Sequence, residues 1–236
     1  MVHGLVSIII PTYQHADAIP ACLNSIFNQT YSCIEIIIVD DGSTDRTQEV
    51  LVDYRNHATV IRQENQGSNP ARNRGWREAE GEYLIFVDAD IVMKPNLIEQ
   101  LLQALETHAD CSFAYCAFRF GWKKFRGVAF DALRLRKRNY IHTTSLVRAA
   151  DFPGFDPAIR RLQDWDVWLT MVEKGKKGVL VPATLFTARI FGASRIGSSW
   201  VPSFFFSIPW KRIGWTPRLV TRYEEARKVI AAKHHL

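Results

Sequence analysis

The sequence predicts an α/β fold: a mostly parallel, twisted sheet with helices on both faces. Three observations carry that prediction. Residues 5–10, 34–39 and 83–87 are near-continuous apolar runs of strand length, the pattern of strands covered on both sides. Segments with apolar residues at helical spacing separate them, which is the order that parallel crossovers require. Two of the runs end in carboxylates, Asp40-Asp41 and Asp88-Ala89-Asp90. Open α/β sheets bind ligands beyond such strand ends.

The first strand, 5–10, stops at Pro11. Residues 17–28 carry Ile19, Leu23, Ile26 and Phe27 at helical spacing, with Pro20 in the first turn, where its missing N–H costs little. The second strand ends in the turn Asp40-Asp41-Gly42-Ser43. Ser43, Thr44 or Asp45 can cap the next helix, which runs through Val50, Leu51 and Tyr54. A short third strand covers 59–62. The turn-rich loop Gln66-Gly67-Ser68-Asn69-Pro70 precedes a helix over 71–79 that carries Arg72 and Arg74. The fourth strand runs into Asp88 and Asp90, and Pro95 introduces a helix with Leu97, Ile98, Leu101, Leu102 and Leu105.

Residues 111–120 and 139–147 read as strands of a second half. Between Arg119 and Arg148 stand nine Lys or Arg and one acid, Asp131. That run is either a solvated face or a basic lip beside an anionic ligand or a membrane. Trp165, Trp168, Leu169 and Val172 mark the apolar face of a helix, with the two indoles read as core rather than as sugar platforms. Gly175 and Gly178 close that helix, and 179–189 offers one or two short strands. Residues 200–210 are strongly aromatic and broken by Pro202 and Pro209. They suit either a membrane interface or a covered core or subunit contact. Thr216-Pro217 opens a final helix with Leu219, Tyr223, Ala226 and Ile230 on one side. His142 and His234-His235 show no ligand spacing and receive no role.

At 236 residues, 47% hydrophobic and 23% charged, the chain can bury a sizeable core. Its net charge of +6 permits an anionic partner and selects none. Cys22, Cys33, Cys111 and Cys116 lack zinc-ligand spacing and read as reduced, buried thiols. There is no signal-peptide pattern and no apolar run of spanning length, so the expected location is cytoplasmic. The absence of Gly-x-Gly-x-x-Gly after the first strand and of a P-loop removes the main support for dinucleotide and P-loop readings.

The acids suggest chemistry. An Asp-x-Asp at a strand end can aim two carboxylates at one point, and hard cations such as Mg²⁺ or Mn²⁺ bind such oxygens and bridge to phosphates. Asp41 can accept hydrogen bonds from a base or ribose. A further acid, in Asp164-Trp165-Asp166, can take a proton from a nucleophile. The set suits displacement at a carbon whose leaving group is a nucleoside diphosphate.

Ser7-Ile8-Ile9-Ile10-Pro11-Thr12-Tyr13, Ile38-Val39-Asp40-Asp41-Gly42-Ser43-Thr44-Asp45, Glu64-Asn65-Gln66-Gly67, Ala71-Arg72-Asn73-Arg74-Gly75 and Phe86-Val87-Asp88-Ala89-Asp90 together resemble family 2 glycosyltransferases of the GT-A fold. Gly154-Phe155-Asp156 and Gln163-Asp164-Trp165-Asp166 extend the match, which covers roughly residues 5–196. The resemblance implies an inverting transferase that moves a sugar from a nucleoside-diphosphate sugar, UDP-sugar by default, to an acceptor hydroxyl in glycan or cell-surface polysaccharide synthesis. By resemblance, Pro11 and Tyr13 border the nucleobase, Asp41 bonds to it, Arg72 helps hold the nucleotide and Asp88 reaches the ribose. Asp90 would hold the divalent cation, Mn²⁺ or Mg²⁺, and Asp164 would be the catalytic base. The acceptor would be a saccharide or lipid-linked, with peripheral membrane contact through the aromatic tail.

On this reading residues 1–196 form the GT-A catalytic domain, with a nucleotide-binding half (1–110) and an acceptor half (111–196). Residues 197–236 are an aromatic segment and a C-terminal helix. Two departures stand out: Gln163 where the family often has Glu, and Phe191 where it often has His. They motivate an alternative, a nucleotide-sugar-binding protein with lost or reduced turnover. Nucleic-acid binding has only charge in its favour and is not expected.

Overall fold

A computed structural model of the chain describes residues 1–189, 208, 210 and 216–236. In chain order the elements are β1 (Val2–Thr12), α1 (Ile19–Phe27), β2 (Ile34–Asp40), α2 (Thr47–Val52), β3 (Thr59–Arg62), α3 (Ser68–Glu78), β4 (Gly81–Phe86), β5 (Ile91–Met93), α4 (Leu97–Thr107), β6 (Phe113–Phe120), β7 (Lys123–Phe125), α5 (Ala132–Lys137), β8 (Leu146–Arg148), α6 (Gln163–Glu173), β9 (Gly178–Ala188) and α7 (Arg218–His234). The strands form one sheet in the order β3-β2-β1-β4-β8-β6-β9-β5, with β7 paired to β6. The first four strands are mutually parallel, β8 joins β4 antiparallel, and β9 lies parallel to β6. This is the expected α/β architecture.

Helices cover both faces because both faces of the central strands are apolar. On one face Ile8, Ile10, Ile38 and Ile85 pack against Leu23 and Ile26 of α1 and Leu97, Leu101 and Leu105 of α4. On the other, Ile9, Leu84, Phe86 and Phe113 meet Trp165, Trp168 and Leu169 of α6, so both indoles are core, as expected. α3 lies close to the sheet at Gly75, where an added Cβ would come within 2.5 Å of the Ile9 side chain. Parallel register aligns the functional ends: Thr12 stands beside Asp40 and Ile9 beside Phe86. The segments after β1, β2 and β4 therefore emerge along one edge.

Four details differ from expectation. The strand expected over 139–147 is only β8, because side chains serve the backbone before it. Asn139 Oδ1 accepts from Ile141 N–H at 3.1 Å and His142 Nδ1 accepts from Thr144 N–H at 3.0 Å, which replaces a ladder. Pro182 does not split β9; the register with β6 slips there, from Cys116 beside Val181 to Ala117 beside Thr184, a bulge that absorbs the missing donor. α7 buries Val220, Ile230 and His234 rather than Leu219 and Ala226. Cys22, Cys111 and Cys116 are buried free thiols, but Cys33 is exposed. No helix among the described residues is long and apolar enough to cross a membrane. Phe191 and most of the aromatic run 200–210 lie outside the described residues.

Candidate active site

A cleft of about 700 Å³ follows the edge where β1, β2 and β4 end, and Pro11, Tyr13, Asp41, Arg72, Asp88 and Asp90 all line it. Six of the seven residues singled out in the sequence thus share one cavity. Tyr13 is exposed on its wall, available for stacking.

Asp41 is buried. Its Oδ1 accepts from Gln63 Nε2 at 2.7 Å and from Gln66 N–H at 2.9 Å, and its Oδ2 from Gly67 N–H at 2.8 Å. It therefore pins the loop that leads into α3. A carboxylate has about four lone-pair sites, so one remains for a ligand. Gly67 adopts φ +98° at this turn, a conformation that suits glycine.

α3 carries the central contact. Arg72 is buried and donates from Nη2 to Asp88 Oδ1 at 2.6 Å and from Nη1 to Asn69 Oδ1 at 3.1 Å. Its guanidinium also lies over the Phe155 ring, 5.2 Å from the centroid, and its buried Nε has no hydrogen-bond partner among the described residues. Burial alone would raise the Asp88 carboxyl, but Arg72, with His142 behind it, holds it below the ordinary carboxylate range. The same helix face reaches the second half of the chain. Asn69 Nδ2 donates to the carbonyls of Asp156 and Ile159 at 2.9 and 2.8 Å. Asn73 donates to Phe155 O at 2.7 Å and accepts from Phe155 N–H at 2.9 Å.

That tethered loop leads into α6 and Asp164. Leu162, just before the helix, sits at φ +58°. Asp164 is partly buried, and burial pushes its carboxyl up to about 6, against the Trp165 N–H, the Asn139 side chain and the charge of Arg72. A carboxylate with a pKa near neutrality is suited to taking a proton. One turn-face away, Asp166 is buried and held from outside the cleft. It accepts from His234 Nε2 at 2.8 Å and from Lys233 Nζ, while His234 Nδ1 meets Glu173 at 2.9 Å and Lys233 reaches Asp156 at 2.8 Å. The last turn of α7 thus fastens the first turn of α6. His234, given no role from sequence, is a buried fastener.

Sequence reading missed Asn69, Asn73, Asn139 and His234. The first two had a signal: with Arg72 they place three polar groups at i, i+3 and i+4 on the face of α3 that should be apolar. Asn139 and His234 had none, since their partners lie 25 and 68 positions away. His15, which also lines the cleft, was passed over as well. Of the basic run, Arg148 is structural, donating to the carbonyls of Cys111 and Leu105.

Among the described residues no three His, Cys, Asp or Glu side chains gather as a metal cage. The donor set nevertheless fits Mg²⁺ or Mn²⁺ of the phosphate-bridging kind, which takes one or two carboxylates and leaves the other positions to water and phosphate. Asp90 lines the cleft, and Asp88 has Oδ2 left once Arg72 occupies Oδ1.

The family model for Glycosyl transferase family 2 matches residues 7–155. An Escherichia coli protein named as an uncharacterized glycosyltransferase, YibD, is 38% identical over 135 residues, 54% of this chain and 39% of that protein. The chain thus spans well under half the length of that relative. A Bacillus subtilis protein named as a putative teichuronic acid biosynthesis glycosyltransferase, TuaG, is 28% identical over 83% of both chains. Among solved structures, Staphylococcus aureus TarS shares the fold with a TM-score of 0.68 at 22% identity, over 78% of this chain and 60% of that one. A mannosyltransferase from Pyrobaculum calidifontis does so with a TM-score of 0.62 at 19% identity, over 95% and 69%.

Proposed function

The chain belongs to glycosyl transferase family 2, and we propose from that premise that it moves a sugar, with inversion, from a nucleoside-diphosphate sugar to an acceptor hydroxyl. The observation that carries the reading is the position of Arg72. One guanidinium pairs with Asp88 of the donor cleft at 2.6 Å and is also felt by Asp164, the raised carboxyl of the other half. Donor site and proposed base are thus both within the electrostatic reach of one charge.

In the mechanism, Pro11 and Tyr13 flank the nucleobase and Asp41 accepts a hydrogen bond from it. Arg72 holds the nucleotide and Asp88 reaches the ribose. Asp90, with Asp88 beside it, would hold Mn²⁺ or Mg²⁺, whose chemistry is to neutralise the leaving diphosphate. Asp164 takes the proton from the acceptor hydroxyl as its oxygen attacks the anomeric carbon from the face opposite the diphosphate. The C–O bond to the acceptor forms as the bond to the diphosphate breaks. Asn139 bonds the Asp164 carboxylate and orients it.

TarS has been solved with UDP and with UDP-GlcNAc, and the mannosyltransferase with GDP-Man and Mn²⁺. These support a nucleotide-sugar donor and a metal, with UDP-sugars first to be tried. The likeness to TuaG over most of both chains supports a saccharide or lipid-linked acceptor in surface-polysaccharide synthesis. Residues 1–110 would form the donor half, 111–196 the acceptor half, and 197–236 an extension.

The test is turnover of UDP- and GDP-sugars with Mn²⁺ over an acceptor panel, with the product's anomeric configuration read by NMR. Inverted product is expected. Retained configuration would remove the single-displacement step, and binding without turnover across the panel would favour a binding protein.

A further inference from the structure

Residues 119–138 hold eight Lys or Arg and one acid, Asp131. Their charge of +7 exceeds the +6 of the whole chain, so the rest of the sequence is close to neutral. The segment opens with a tight hairpin. β6 and β7 pair antiparallel, Phe118 beside Phe125, Arg119 beside Lys124 and Phe120 beside Lys123. That register leaves a two-residue turn, Gly121 at φ +55° followed by Trp122, a length whose twist matches that of the strands.

The two faces of the hairpin differ. Phe118 stacks on Phe125 at 4.7 Å and on Phe186 of β9 at 5.0 Å between ring centroids. Phe118 and Phe120 pack against the core, so this face is turned to the sheet. Side chains alternate along a strand, which puts Arg119 and Lys124 opposite each other on the outer face. Arg119, Lys124 and the following Arg126 are exposed, and none has an ion-pair partner among the described residues. Like charges directly opposite across a ladder destabilise it. At the tip Trp122 is 79% exposed, more than any other large apolar side chain of the described residues except Met1, whereas tryptophan is on average highly buried. Lysine can blunt a free sheet edge, but that role calls for no indole at the tip.

We propose that the β6–β7 hairpin docks on an anionic bilayer surface, with Trp122 in the headgroup region and Arg119, Lys124 and Arg126 meeting lipid phosphates. Indole rings favour that depth, and an anionic leaflet attracts Lys and Arg held near it. Lipid phosphates also relieve the like-charged pair that the hairpin itself leaves uncompensated. Nucleic acid would attract the same charge, but single-strand binding stacks successive bases on free aromatic faces. Here Phe118 and Phe125 cover each other, Lys123 Nζ lies 4.7 Å from the Phe125 centroid, and Trp122 alone of the hairpin's aromatics projects from the tip. The surface is separate from the aromatic run 200–210, and it needs no part of the nucleotide-sugar reading.

The experiment is co-sedimentation of the full chain with vesicles of phosphatidylcholine alone or with phosphatidylglycerol added, at low and high salt. The wild type should bind the anionic vesicles more tightly than the neutral ones, and less tightly as salt screens the charge. Trp122→Ser should weaken that binding about tenfold or more, the scale for leaving one large apolar side chain unburied. The double variant Arg119→Gln with Lys124→Gln should weaken it about tenfold or more, since each cation near an anionic leaflet is worth about fivefold. The double variant should melt no lower than wild type, because it removes a repulsive pair, so its lost binding is not lost folding. With brominated acyl chains at saturating vesicle, tryptophan fluorescence should be quenched more in wild type than in Trp122→Ser. No binding to anionic vesicles, equal binding to neutral ones, or binding unchanged in both variants overturns the proposal. Binding of a single-stranded oligonucleotide without binding of the vesicles assigns the surface to nucleic acid and overturns it as well.

Discussion

Asp164 sits where two demands conflict. Partial burial raises its carboxyl to about 6, so the folded state holds that proton more tightly than the unfolded chain does. Ionising it in the folded state is unfavourable: the penalty is absent below about pH 4, grows as pH rises from about 4 to about 6, and is complete above that. In its proposed role as base it must be ionised, so kcat should fall about tenfold per pH unit below about pH 6; an acid limb near 4 would take Asp164 out of that role. Asp164→Asn should lower kcat by roughly 10²-fold or more while raising the melting temperature at pH 7.5, and the thermal gain should vanish at pH 4. Asp90 carries a separable expectation. Asp90→Ala should abolish the part of diphosphate affinity that depends on Mn²⁺, leaving metal-free affinity as in wild type. Calorimetry with and without EDTA reads this, and an unchanged metal effect would assign the cation elsewhere.

At the scale of elements, two helices are placed by single residues. Gly75 lets α3 approach the sheet, since a Cβ there would stand 2.5 Å from Ile9 and 3.2 Å from Val39. Gly75→Ala should cost about 1–3 kcal/mol by overpacking, despite alanine's better helix propensity, as a lower urea midpoint at unchanged slope. α6 is fastened by α7. His234→Ala would leave buried Asp166 with Lys233 as its remaining partner and should cost about 2–4 kcal/mol. His234→Gln should cost less, because the amide can still donate. Equal stability of the alanine variant and wild type would show that α7 adds nothing to α6.

For the whole molecule, α3 is the tie between the halves. Asn73 satisfies both backbone groups of buried Phe155, and Asn69 two carbonyls of the same loop. Asn73→Ala should cost about 2–3 kcal/mol, since Phe155 would keep both polar groups buried and unpaired. It should also weaken the coupling of the base to the donor site, so that turnover falls more than donor affinity. Denaturation followed by both tryptophan fluorescence and circular dichroism would check it; unchanged stability would mean that other contacts carry the tie.

The alternation of apolar runs and helical stripes determined the α/β fold, because strands covered on both faces admit few other arrangements. It also placed Asp41, Asp88 and Asp90, because carboxylates that follow buried strands must emerge at the ligand edge. Local pattern reaches only a few positions along the chain, and what it left undecided involves partners far beyond that. Asp164 and Arg72 are 92 positions apart in sequence and come within electrostatic reach of each other only in the folded chain. The raised carboxyl of Asp164 follows from the burial that folding creates. The fixed tautomer of His142 follows from a loop that fails to be a strand. The fastening of Asp166 by His234 spans 68 positions. Protonation, tautomer and charge pairing are properties of surroundings, and tertiary structure alone supplies the surroundings.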